Sequence, residues 1–457
     1  MAAVSLLIVA GLVIGGFALV RPEQLSELLH ITGTPSADAT TPAPTAEPVL
    51  AGMDENAPQP TAAKLKALLD KSVTTAGIGP VNISVVDALT GTTLYDRGGQ
   101  ETTTPASTTK LLTAAAVLSV RGADHRITTS AVAGPKGGEV VLVGAGDPTL
   151  GVGPTTFYQG AARLDELAKQ VKAALAGVAP TKVIIDPTIF PGSTLGPGWD
   201  EDIATGGYGA RISGLMVDGA RTSPKRNRDI HASYDRSAQP DLAAGQAFAK
   251  LLGLPISAVT KGKAAEGAAV LGSVTSPTVG SMVEVMLAES DNVVAEAMAR
   301  QVAIAKGKPA TFENGGIATA EVLAGLGADP AQIKLVDGSG LSRRDAISPA
   351  VQTYLLALAA GPKHPELRGL FAGLPVGAWS GTLNDRFKAK SVAGGGGLVR
   401  AKTGTLSAVN AISGIVVTKD GRLLAFAILA DQVPVDNDIA RDQLDVIANT
   451  IAACGCR

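Results

Sequence analysis

Ser107 and Lys110 stand three residues apart in PASTTKLLTAAAVL, where a threonine-rich loop runs into an alanine-rich apolar stretch. Residues three apart share a helix face, so this spacing sets a hydroxyl beside an amine. A serine hydroxyl is a poor nucleophile near neutral pH and needs an adjacent base. A lysine can be that base only where burial or a second cation strips its proton. Alone the pattern is weak: Ser-x-x-Lys arises about once by chance in a chain of this length, serines cap helices and lysines snorkel to water. Two further stretches give it company. Ser290-Asp291-Asn292 falls inside an apolar helical run, AESDNVVAEAMA, where a polar triplet is locally unfavourable. Lys402-Thr403-Gly404 closes a strand pattern in VRAKTGTLSAV. A kink or cap would account for the first and a surface strand end for the second. All three in this order, each on the element type it needs, point to one nucleophilic serine centre.

The elements that must position these residues can be read around them. TAAKLKALLDKSV reads as an amphipathic helix capped by Thr61. VNISVVDALTGTTLYDRG reads as two strands about an LTG turn, and the Ser107 helix follows. From about residue 128 to 269 the texture changes to short strands and loops (EVVLVGAG, KVIIDPTIF, PGSTLGPGWDEDIATGGYGARISG), interrupted by the helix LDELAKQVKAALAG. From Ser276 helices return in VGSMVEVMLAESDNVVAEAMARQVA, ENGGIATAEVLAGLG and SPAVQTYLLALAAG. The chain closes with GLVRAKTGTL, a hairpin turning at Asp420-Gly421, and a helix from Asn437 to about Ala453. Similar texture at both ends predicts an α/β fold whose main domain, residues 61–127 and 270–457, is interrupted by inserted material over 128–269.

The three motifs are those of penicillin-binding proteins and class A β-lactamases. Three more features narrow the likeness: GAGDPTL (Gly144–Leu150), DGSGLSRRD (Asp337–Asp345), and a gap of about 180 residues between the first two motifs. From roughly Thr61 to Cys454 the chain resembles the class C, low-molecular-mass penicillin-binding proteins, DacB-type D-alanyl-D-alanine carboxypeptidase/endopeptidases. The resemblance implies a serine transpeptidase/β-lactamase-like domain, an antiparallel sheet flanked by helices, with a large mostly-β insertion between the first and second motifs. It implies a serine-type D-Ala-D-Ala carboxypeptidase, with endopeptidase as a further activity. Such an enzyme trims peptidoglycan stem peptides through an acyl-enzyme on Ser107, and β-lactams inhibit it covalently. Lys110 would take the Ser107 proton, made acidic by burial beside Lys402. Ser290 would relay a proton to the leaving amine, and Asn292 would hold Lys110 and bond the substrate amide. Lys402, Thr403 and Thr405 would receive the terminal carboxylate. The strand from Lys402 through Gly404 to Leu406 would offer an edge to which the peptide adds. Backbone N–H groups of Ser107 and Thr405 would form the oxyanion hole. Asp147 and Arg343 would flank a pocket for the zwitterionic end of the third stem residue, diaminopimelate. No cofactor and no metal enter this chemistry.

Rival readings share parts of this set. A β-lactamase needs a fast deacylation base, and VVAEAMAR after Asn292 lacks the Glu-x-x-Leu-Asn pattern of class A enzymes. A penicillin sensor would need a large cytoplasmic part, and a non-catalytic wall binder would be expected to lose motif residues. GAGDPTLG has Thr149 where a dinucleotide fingerprint needs its third glycine, and Ala401 before Lys402 spoils a P-loop. The 39 basic and 41 acidic residues give no electrostatic case for nucleic acid, and 3% aromatic content argues against base-stacking platforms. RTSPKRNR (Arg221–Arg228) reads as a solvated loop.

Residues 2–20 carry no charge and as a helix span about 28 Å, roughly one hydrocarbon core. Residues 1–21 therefore read as a transmembrane anchor or an uncleaved signal, and the protein as exported, held at the outer membrane face or released to the wall. Residues 22–60, rich in Pro, Thr and Ala, read as a disordered tether. The spacing of Cys454 and Cys456 allows a strained disulfide or a metal scrap, and the pair reads first as a frayed end without a role.

Overall fold

Strands as apolar as NAISGIVV and LLAFAILA need cover on both faces. The computed structural model describes residues 56–225 and 234–455 and supplies that cover; the apolar run of 1–21, the tether to residue 55 and Cys456 lie outside the described residues. Along the chain come α1 (Ala62–Ala76), β1 (Asn82–Asp87), β2 (Thr93–Arg97), α2 (Thr109–Arg121), β3 (Arg126–Ala133), β4 (Glu139–Val143), α3 (Leu164–Ala174), β5 (Lys182–Asp186) and α4 (Pro240–Leu252). Then follow β6 (Val259–Lys261), β7 (Val270–Thr278), α5 (Val279–Ala288), α6 (Asn292–Ala305), α7 (Phe312–Gly325), β8 (Ile333–Lys334), β9 (Ala346–Ile347) and α8 (Pro349–Ala360). The last are α9 (Gly369–Gly373), β10 (Val399–Leu406), β11 (Val409–Val417), β12 (Leu423–Ala430) and α10 (Asn437–Ala452).

The first sheet has the order β10-β11-β12-β1-β2, with every pairing antiparallel. Leu65 and Leu69 of α1 and Leu444, Ile447 and Ile451 of α10 pack with Phe426 and Ile428 against one face. Leu111 and Leu112 of α2, Met282 of α5, Val294 and Met298 of α6 and Leu355 of α8 share a second core with Ala425 and Ile415. Each such fully buried side chain contributes roughly 1.5–3 kcal/mol by leaving water. This is the antiparallel, helix-flanked sheet the motifs call for.

The second sheet runs β6-β5-β4-β3-β7, and β4, β5 and β6 pair in parallel. Leu142, Ile185, Leu167, Val171 and Phe248 join it to α3 and α4. Its material is therefore mixed rather than mostly β. α4, a second helix in the inserted stretch, buries Gly245. That glycine lets the helix lie on β5, where a Cβ would fall 2.4 Å from Ile185.

Three local expectations need correction. The run from Val279 to Ala305 is two helices, not one, because Asp291 accepts hydrogen bonds from Val293 N and Val294 N and so starts α6 afresh. Thr61 occupies the N-cap of α1 but its hydroxyl makes no capping bond. Cys454 is no frayed end: it is buried against the α1–α10 core and disulfide-bonded.

Candidate active site

A one-turn 3-10 segment, Ala106–Thr108, leads Ser107 into α2. Ala106 has φ 47°, a left-handed conformation that costs a non-glycine residue about 1–3 kcal/mol. Two glycines clamp it there. A Cβ on Gly340 would fall 1.9 Å from Ala106 O, and one on Gly404 would fall 2.8 Å from Pro105 O and 3.1 Å from Ser107 N. Only glycine lets β10 and the 337–340 loop come so close to the serine.

Lys110 Nζ donates to Ser107 Oγ at 2.8 Å, Asn292 Oδ1 at 2.5 Å and the Ser339 carbonyl at 2.7 Å. The side chain is wholly buried. Burial lowers its pKa to about 8, against the opposing pull of Asp337, Glu296 and Asp291. Lys402 is also wholly buried, and its Nζ donates to the Thr403 carbonyl at 2.9 Å. Burial first, then Lys110 and Arg386, hold it well below the usual lysine range. Of the two causes expected at Lys110, burial acts there, while the repulsion between the two lysines is felt at Lys402.

The loop Asp337–Gly340, pinned at its base by the β8–β9 pair, brings the Ser339 carbonyl to Lys110. Asp337 Oδ1 accepts from Ser339 N and Gly340 N, and its Oδ2 from Ser342 N and Trp199 Nε1. Behind the loop, Glu296 accepts from Gly338 N and Ser339 N and pairs with Arg300 at 3.2 Å. Burial, then Asp337, raise the Glu296 carboxyl to about 7, while Arg300 opposes them.

Ser290, with φ 56°, lies in the break between α5 and α6 and lines the same cavity as Ser107. Asp291 borders the same cavity, but its carboxylate is engaged by other partners. It pairs with Arg221 at 3.0 Å and accepts from Tyr158 Oη at 2.8 Å. Burial pushes its carboxyl up, but Arg221 and Arg236 outweigh that and hold it far below the usual range. Arg221 itself is buried, its guanidinium 3.5 Å from the centre of the Phe157 ring. The solvated-loop reading fails at this residue because a buried carboxylate needs a partner. Asn292 holds Lys110 as expected, while its Nδ2 donates to the Tyr208 carbonyl at 2.8 Å.

These groups open on one cavity of about 530 Å³, lined among others by Ser107, Ser290, Asn292, Thr403, Thr405 and Leu406. The first half of β10 is edge-paired, since Gly377 N donates to Val399 O and Ala401 N to Pro375 O. Strand alternation turns the N–H and C=O groups of Thr403 and Thr405 to that same outer side, beyond the paired stretch. Thr403 Oγ1 lies 2.9 Å from Thr382 Oγ1.

The pair Asp147 and Arg343 is not brought together. Asp147 is buried, and its Oδ1 accepts from the N–H and hydroxyl of Thr149 and closes a turn. Burial raises its carboxyl to about 6. Arg343 lies at the cavity rim in a forked pair with Asp200 at 2.8 Å, and its Nη1 donates to the Ser407 carbonyl. Asp200, Ser407 and Leu406 line the cavity. The acidic partner of Arg343 is thus Asp200, from the loop-rich stretch GPGWDEDI.

Comparison with known proteins agrees with this geometry. The D-Ala-D-Ala carboxypeptidase 3 (S13) family profile matches residues 62–232 and 227–452. A carboxypeptidase of Mycobacterium tuberculosis is 38% identical over 419 residues, 90% of this chain and 89% of that one. Carboxypeptidase DacB of Mycolicibacterium smegmatis is 37% identical over 430 residues, 92% of this chain and 91% of that one. Among solved structures, penicillin binding protein 4 of Haemophilus influenzae superposes with a TM-score of 0.65 at 19% identity, covering 85% of this chain and 97% of its own; this last likeness speaks to fold.

Proposed function

The chain belongs to the S13 family of D-Ala-D-Ala carboxypeptidases, serine hydrolases of peptidoglycan stem peptides, and from that premise we propose how its cleft carries out the reaction. Neutral Lys110 takes the Ser107 proton across their 2.8 Å hydrogen bond as Oγ bonds to the penultimate D-Ala carbonyl carbon. The N–H groups of Ser107 and Thr405 receive the oxyanion. The C–N bond then breaks as Ser290 relays the proton held by Lys110 to the departing D-Ala amine, and water hydrolyses the ester to release the acyl group and restore Ser107. The observation that carries this reading is a wholly buried lysine in hydrogen-bond contact with a cavity-lining serine.

Stem recognition falls to Arg343 and Asp200, which set opposite charges on the rim beside Leu406. Paired charges of this kind suit the zwitterionic end of diaminopimelate. Residues 61–127 with 270–457 form the catalytic part and 128–269 the insertion; in support, all strands of the first sheet come from the former and β4–β6 from the latter. A wall substrate calls for an exported enzyme, and the uncharged run of 2–20 with its Pro-rich tether supports an anchor. Among the described residues no helix is long and apolar enough to cross a membrane.

The test is covalent labelling by benzylpenicillin followed by intact mass. Wild type should gain one acyl adduct mapping to Ser107, and Ser107→Ala should gain none while unfolding at an unchanged temperature. An adduct on the folded variant overturns the assignment.

A further inference from the structure

A peptide's C-terminal carboxylate enters the cleft as a full anion, and Lys402 is already engaged. Its Nζ donates to the Thr403 carbonyl, and burial with Lys110 and Arg386 nearby lowers its pKa. Arg386 reaches the cavity from another element. It follows the turn Gly381–Leu383 and lines the cavity with Thr382, Thr403 and Thr405. Only 7% of its side chain is exposed. Nε donates to Asp445 Oδ1 at 3.0 Å, and Nη2 donates to Asp445 Oδ1 at 2.6 Å and the Arg441 carbonyl at 3.1 Å. Among the described residues Nη1 has no hydrogen-bond partner, and it is not one of the sealed, unpartnered atoms. Both Asp445 oxygens sit against the Nε side of the fork, so the carboxylate fixes the guanidinium without occupying the nitrogen that remains. A guanidinium keeps its charge at any pH at which the enzyme works.

We propose that Arg386 is the charge-bearing anchor for the substrate's terminal carboxylate, receiving it on Nη1 beside the hydroxyls of Thr403 and Thr405. The inference rests on the carboxypeptidase reading of this cleft. It makes Lys402 chiefly an electrostatic neighbour of Lys110 and gives the recognition of a free C-terminus to a residue outside the three motifs.

The experiment compares acylation rates with benzylpenicillin and with its methyl ester, which lacks the anion. Wild type should strongly prefer the acid. Arg386→Gln should cut the acid-to-ester rate ratio by about tenfold or more, the loss expected of one charge-assisted hydrogen bond, and Arg386→Lys should restore part of it. Because Arg386→Gln strands a buried carboxylate, Arg386→Gln with Asp445→Asn is read on the same ratio. General damage slows both compounds equally and leaves the ratio alone. An unchanged ratio in these variants, or no acid preference in wild type, overturns the anchor. Absence of any Ser107 adduct in wild type would instead overturn the reading of the cleft.

Discussion

The floor of the cleft and its outer rim are built on opposite plans. On the floor, Lys110 is wholly buried and tied to Ser107, Asn292 and Ser339, with Glu296 and Asp337 fixing the loop behind. On the rim, Arg343 and Asp200 are each more than a third exposed. Breaking a buried charged network costs about 3–5 kcal/mol, whereas an exposed pair is worth about 0–1. The floor is thus rigid and intolerant, suited to proton transfer at fixed distances. The rim can change its ligand preference without endangering the fold.

The largest break comes from Lys110→Arg. The guanidinium stays charged and cannot act as a base, so penicillin acylation should fall by about a thousandfold or more. The companion measurement is the wild-type pH profile. Lys110 titrates near 8, depressed from 10.5, and only its neutral form accepts the proton. Acylation should therefore rise about tenfold per unit below that pH and level off above it; a flat profile from pH 6 to 9 removes Lys110 as the base. Next comes the rim. Asp200→Asn should slow turnover of diaminopimelate-containing peptides by about tenfold, leave penicillin acylation within about twofold, and shift stability by under about 1 kcal/mol. Equal losses on both compounds would make Asp200 structural.

The smallest effect is expected at Asp147→Asn, with both rates unchanged. Here the informative readout is stability. The carboxyl rises from 3.8 to about 6 on folding, so above that range the native state bears a buried charge that the unfolded chain solvates. The amide removes this cost and keeps an acceptor for Thr149 N. The variant should melt no lower than wild type at pH 7, and any advantage should fade as pH falls toward 4. A specific loss of peptide turnover would reinstate Asp147 as a recognition residue.

What could be read from the sequence followed local spacing. Ser107 and Lys110 share a helix turn, Lys402 to Leu406 share a strand, and the Asp420-Gly421 turn is written in its two residues. The turn at Asp147 is legible in Asp-Pro-Thr, whereas the depth at which the fold buries its carboxylate is not. The helix break at Ser290 is only hinted at by a polar triplet that a kink or cap would explain, because apolar spacing continues on both sides and the capping ability of Asp291 alone marks it. Arg221, Glu296 and Arg386 carry no pattern of their own. Arg221 meets Asp291 across 70 residues, and Arg386 meets Asp445 across 59. Such partners are set by the tertiary fold, and no periodicity announces them.

The pairing of β1 with β12 sets an order of assembly. Asp87 lies opposite Leu424, so β1 waits for β12, the central strand of the catalytic sheet, more than three hundred residues downstream. The second sheet draws all its strands from between Arg126 and Thr278 and can close while the rest is still being synthesised. A nascent chain would thus carry Ser107 and Lys110 early, but without β10 it would have neither the strand edge nor the second oxyanion donor. The reactive serine matures last, when the final hairpin arrives, so an incomplete chain is also a chemically silent one.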